Sequence, residues 1–207
     1  MRTTSGTASL AALATIGMAA LTPEPVQAQS STGQVSLRGF VASRCGAGGA
    51  SGTTSSAFGG TISLGELSDT NARLRPALVN STSGSPAGTI AFQAGCTGTA
   101  ATVTLSATRL STTNPVPAGE GGFTVSNDID YTAQVAMALT GGGITTLNYT
   151  TAATLPAPST LTVGDGFAFI PDNFEIRVFG LRPEGGDQSV LVAGTYDAVI
   201  TVTITPA

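Results

Sequence analysis

The chain has no histidine, no lysine and no tryptophan, and only two cysteines among its 207 residues. Each absence removes a class of chemistry. Without histidine there is no Ser-His-Asp or Cys-His pair, and without lysine there is no Schiff base and no Ser-Lys dyad. Two cysteines with no histidine cannot complete a zinc shell. Charge is also scarce: 10% of residues carry it, the formal net charge is −4, and all 8 basic residues are arginine. Arg73 and Arg75 are the only close basic pair. A chain with no basic cluster cannot neutralise a run of phosphates, so nucleic-acid binding is not expected.

The acidic residues offer little more. Asp128 and Asp130 sit two apart, a spacing that a glycosidase pair or a calcium site could use. They lie beside Asn127 at the start of a strand pattern, where Asn and Asp commonly make a turn. Neither a complete calcium loop nor a second acidic cluster accompanies them, so a structural role is expected. Asp165, Asp172 and Glu175 read as dispersed, solvated loop acids. Asn80-Ser81-Thr82 and Asn148-Tyr149-Thr150 fit a glycosylation sequon, a three-residue match that carries little weight. No enzyme activity and no cofactor are expected. The chain should work by shape and assembly.

What the sequence does hold is strand period. Arg2, the apolar run Leu10–Leu21 and the small residues of Val26-Gln27-Ala28 predict a signal peptide over 1–28, cleaved before Gln29. The run is too short to span a bilayer. Cys45 and Cys96 both follow the cleavage site, and a pair in an exported chain reads as a disulfide. Two free buried thiols are the alternative.

Ile90, Phe92, Ala94 and Cys96 share one phase, which points Cys96 inward. Val103, Leu105 and Ala107 continue the pattern. Ile129, Tyr131, Ala133, Val135, Met137 and Leu139 make the longest alternating run, and Phe174, Ile176 and Val178 make another. Val190 to Val192 form a short continuous apolar run, as a strand buried on both faces would. Turn signals at 141–143, 165–166, 183–186 and 193–194 separate the runs. Gly46–Gly60 is expected to be a mobile loop, 68–85 to hold a helical turn near Ala72–Leu78, and 111–122 to be irregular. Many short strands with Gly/Pro turns predict an all-β sandwich.

The last run matters most. Tyr196, Ala198, Ile200, Val202 and Ile204 alternate with Asp197, Val199, Thr201 and Thr203, so one face of the terminal strand is apolar and needs cover. That cover comes from an earlier strand or from another molecule.

Several segments, taken in order, resemble the spore coat protein U domain, the fold of archaic chaperone–usher pilin subunits. They are Thr32-Gly33-Gln34-Val35-Ser36-Leu37 leading to Cys45; Gly60-Thr61-Ile62-Ser63-Leu64-Gly65; and Gly88-Thr89-Ile90 through to Cys96-Thr97-Gly98-Thr99. Asp130-Tyr131, Val178-Phe179-Gly180 and Ala193-Gly194-Thr195-Tyr196-Asp197 follow. The loop Gly46–Gly60 and the Gly/Pro-rich insert Gly141–Ser159 depart from the pattern.

The resemblance implies an incomplete immunoglobulin-like β-sandwich over 41–207, lacking its seventh strand and completed by an intermolecular donor strand. It implies a donor-strand extension over 29–40 with Val35 and Leu37 as anchors. The acceptor groove and chaperone contact would be Tyr196, Ala198, Ile200, Val202, Ile204 and the carboxylate of Ala207. It implies other pilin subunits, a periplasmic chaperone and an outer-membrane usher as partners, secretion through the periplasm, and a cell-surface pilus serving adhesion and biofilm formation. The plain reading of Val35–Val41, as the first strand of its own domain, stays open. So do a self-contained, non-fimbrial coat protein and a carbohydrate-binding tip subunit.

Overall fold

The computed structural model describes residues 38–40, 42–48, 54–55, 59–117 and 124–207. The expected signal peptide and the anchors Val35 and Leu37 lie outside these residues. Within them the chain is all-β, and the strands pair almost entirely antiparallel.

The larger sheet is built from β1 (Cys45–Gly48), β2 (Thr54–Ser55), β3 (Gly88–Cys96), β10 (Phe174–Pro183), β7 (Asp128–Ala138) and β5 (Leu110–Ser111), in the order β2-β1-β3-β10-β7-β5. β8 (Ile144–Thr150) also pairs with β7. The second sheet has three strands, β12 (Ile200–Pro206), β4 (Ala101–Ala107) and β9 (Ser159–Val163), with β4 in the centre. A short parallel pair joins β6 (Val125–Ser126) to β11 (Val190–Leu191).

The two larger sheets feed one hydrophobic cluster. Phe92, Ala94 and Cys96 of β3, Val103 and Leu105 of β4, Ile129 to Met137 of β7, and Phe174 to Val178 of β10 all place alternate side chains in it. A two-residue period puts every second residue on one face, so these runs bury a whole stripe at once. Phe174 anchors the centre, tilted against Phe92 with ring centroids 5.3 Å apart and edge-on to Phe167 at 4.8 Å. Strong alternation in the sequence and deep burial in the structure coincide at each of these runs.

Cys45 and Cys96 stand directly opposite each other in the β1–β3 ladder and are joined by a disulfide, with Cα atoms 4.0 Å apart. Cross-linking residues 51 apart in sequence removes conformations from the unfolded chain.

Several local expectations change. Gly46–Gly60 contains β2, and its first residues, Gly46 to Gly48, continue β1, because they find partners in Gly95 to Gln93 of β3. The Gly/Pro-rich insert contains β8, whose inward positions Thr145, Leu147 and Tyr149 alternate with exposed neighbours. Threonine stands there in place of an aliphatic residue, which hides the period. The helical turn is one short helix, α1 (Pro76–Val79), opened by proline at its first position and burying Leu78. Proline fits there because the first helical N–H has no partner within the helix. In the 190–192 run only Leu191 is fully buried.

Candidate functional site

β12 is an edge strand. Its register with β4 runs from Ile200↔Ala107 to Pro206↔Ala101. Just before it, the Thr108 N–H donates to the Val199 carbonyl at 2.9 Å; just after it, the Ala207 N–H donates to the Ala100 carbonyl at 3.3 Å. Antiparallel ladders alternate, so the odd-numbered residues turn their backbone groups toward β4. The even-numbered ones, Ile200, Val202 and Ile204, therefore turn their N–H and C=O groups to the opposite side. Among the described residues no strand pairs there.

The side chains on that strand are half covered as well. Ile200, Val202 and Ile204 pack against the core but remain partly exposed, whereas their β4 partners Ala107, Leu105 and Val103 are 5%, 0% and 0% exposed. An apolar edge with free backbone groups is a template for strand pairing.

Toward the start of β12 a second unpaired stretch faces solvent. Residues 59–67 run without regular secondary structure, and no backbone hydrogen bond joins 60–66 to a neighbouring strand among the described residues. Ile62 and Leu64 alternate inward and rest on Gly88, where a Cβ would run into Ile62 Cγ2. Only glycine permits that approach. Thr61–Ser68 and Leu191–Asp197 line a groove of about 670 Å³, with Leu110 also in its lining.

Tyr196 braces one wall of the groove. Its hydroxyl donates to the Val192 carbonyl at 2.9 Å, with the Ser126 carbonyl at 3.2 Å. Burial raises the phenol above its ordinary value, partly offset by the bond to Val192, and the Asp128 carboxylate adds to the rise. On the opposite wall, the Ser68 hydroxyl and N–H hold the Glu66 carboxyl below its ordinary value, helped by Arg75.

The sequence-expected acceptor residues thus divide. Ile200, Val202 and Ile204 share the half-covered face of β12, and Tyr196 lines the groove beside its start. Ala198 is exposed and precedes the strand. The chain slips there: Asp197 pairs with Ser111, one residue out of the register that holds from Ile200 onward. Ala207 lies exposed just past β12. Ile62, Leu64, Leu67 and Leu191 were not read as groove residues. The alternation of Ile62 and Leu64 within Gly60–Gly65 was the available signal.

The acids Asp128 and Asp130 have a structural partner that sequence spacing did not reveal. Arg109, placed between β4 and β5, makes a two-pronged contact to Asp130 at 2.8 and 3.2 Å and reaches Glu184 at 3.0 Å and Asp128 at 3.6 Å. The acids lie on β7 rather than in a turn. Paired geometry of this kind holds an arginine fork in one orientation. Glu175 likewise meets Arg177 at 2.6 Å.

No protein-family model, no curated protein and no solved structure matches the chain.

Proposed function

We propose that this chain is an exported structural subunit that polymerises head to tail by strand addition, as the resemblance to pilin subunits implies. In this reading the two sheets form an immunoglobulin-like sandwich that lacks a strand beside β12. A segment of another copy supplies it. The observation that carries the reading is the edge of β12, which pairs on one side only among the described residues and whose outward backbone groups and half-covered aliphatic face belong to the same three residues.

Strand addition satisfies both at once: backbone bonds give affinity and alternate side chains cover the half-exposed face of Ile200, Val202 and Ile204. The donor is the segment 29–40, with Val35 and Leu37 alternating as anchors. Each anchor, fully buried, contributes about 1.5–3 kcal/mol. Donor and acceptor are different surfaces, so the contact propagates as a filament. A periplasmic chaperone occupies the same edge before assembly, an outer-membrane usher assembles the fibre, and the product is a cell-surface pilus in adhesion and biofilm formation.

Deleting residues 29–38 tests the donor assignment. The truncated subunit should accept donor strands but give none, so on its own it stays unpolymerised. Polymers formed by the truncated subunit with its own kind would overturn the assignment. A full-length subunit that is stable and monomeric without any partner would favour a self-contained coat protein instead.

A further inference from the structure

Two large apolar side chains stand out on a loop that is otherwise tightly fixed. Phe169 is 72% exposed and Ile170 is 51% exposed, in the connection between β9 and β10. Phe167 pins the loop at one end, buried edge-on against Phe174. Its neighbour Ala168 donates its N–H to the Ala138 carbonyl at 2.9 Å. Asn173 pins the other end. Its side-chain amide donates to the carbonyls of Ala168 and Ala94, both at 2.6 Å, and accepts from the Ala94 N–H at 2.9 Å. Asn173 is itself buried. A loop braced at both ends holds its tip in one place, so the exposure of Phe169 and Ile170 is built in rather than incidental.

The position of the tip is informative. Phe169 lies against Gly95, where a Cβ would sit 2.6 Å from its ring, and Gly95 pairs with Gly46 of β1. Two residues earlier, Arg44 pairs with Thr97, its N–H donating to Thr97 Oγ1 at 2.9 Å and its carbonyl accepting from the Thr97 N–H at 2.8 Å. The tip therefore flanks the point where the chain enters the sheet. Phe40, 94% exposed, lies just upstream.

We propose that the Phe169–Ile170 tip seats against the groove mouth, Thr61–Ser68 and Leu191–Asp197, of a second copy of this chain. The inference rests on the strand-addition reading. Leu37 and Arg44 are seven residues apart in sequence, which spans at most about 25 Å when fully extended. A copy that holds Leu37 beside its β12 is thereby tethered close to the tip.

Direction selects which end it meets. β4, the partner of β12 among the described residues, runs antiparallel to it, as do all pairings in the two larger sheets. An incoming strand that keeps this pattern leaves β12 beside Ile200, where the groove begins, and not beside Pro206. The apolar tip then meets the half-buried Leu64, Leu67 and Val192.

Disulfide trapping in the full-length polymer tests this. A Phe169→Cys, Thr195→Cys double variant should give, on oxidation, a ladder of covalent multimers that survives denaturation without reductant. Peptide mapping should place the new bond between positions 169 and 195. Phe169→Cys alone should give no ladder and no dimer. Polymers that form normally without a ladder would overturn the tip contact while leaving strand addition intact. Dimers of the single variant would mean that tips meet each other, which also overturns it. Absence of any polymer from the unmodified chain would bring down strand addition, and this contact with it.

Discussion

Val202 and Leu105 stand directly opposite each other across the β12–β4 ladder, yet Leu105 is sealed in the core while Val202 remains half open to solvent. They are neighbours on one face of one sheet. Among the described residues β4 has a strand on each side and β12 has one on a single side, which accounts for the difference.

That asymmetry should appear in the energetics of substitution. Leu105→Ala leaves a cavity in a fully packed site and should cost the isolated subunit about 2–5 kcal/mol. Val202→Ala removes methyl groups already half hydrated and should cost it about 1 kcal/mol. If strand addition covers Val202 as proposed, Val202→Ala should also lower the denaturant midpoint of polymer dissociation. Urea titrations of both forms, followed by intrinsic fluorescence or circular dichroism, check the contrast. Equal losses in the isolated subunit would mean that the edge is already covered.

The Cys45–Cys96 bridge ties β1 to β3 beside the chain entry. Replacing both cysteines by serine should destabilise the subunit by about 2–4 kcal/mol, chiefly through the unfolded state. Denaturant melts with and without reductant should differ for the natural chain and coincide for the variant.

Asn173 bonds both backbone groups of Ala94 and the carbonyl of Ala168 through one buried amide. Asn173→Ala leaves those groups unpaired and should cost about 3 kcal/mol. Amide exchange at Ala168 and Phe169 should accelerate along with the loss. A melt unchanged from the natural protein would contradict the bracing role.

Tyr131 is buried, and its hydroxyl has no hydrogen-bond partner among the described residues. Burial raises the phenol well above its ordinary value of 10.0, with Tyr149 adding to the effect. The folded state therefore favours the neutral phenol. The associated stability is complete below the unfolded value and is lost as the pH rises past it. Tyr131→Phe should change stability at pH 7 by less than about 1 kcal/mol, and it should delay alkaline unfolding. Melts taken between pH 7 and pH values above the ordinary phenol range read both effects.

Much of this fold was legible in the sequence because its central strands alternate strongly. Ile90 to Cys96, Val103 to Ala107 and Phe174 to Val178 put aliphatic, aromatic or cysteine side chains at every second position, and each buries that stripe. β8 and β9 escaped because threonine and serine share their inward faces. Those residues fit a pleated strand without announcing which side is buried. The exposure of Ala198 escaped for another reason: the slip at Asp197 interrupts a pattern that is continuous in sequence. Arg109 gave no sign at all, since an ion pair reaching from 109 to 130 and 184 is set by strand order rather than by local spacing. The terminal apolar stripe was visible, but what covers it was not, because periodicity marks a face and not what lies beside it.

Residue-resolved hydrogen exchange on full-length protein, compared between monomer and polymer, tests the central claim most directly. In the monomer the amides of Ile200, Val202 and Ile204 should exchange quickly while those of Thr201, Thr203 and Thr205, turned toward β4, are protected; in the polymer both sets should be protected. Slow exchange of Ile200, Val202 and Ile204 in the monomer would mean that the edge is already paired within one chain, and fast exchange persisting in the polymer would mean that no strand from another copy binds there.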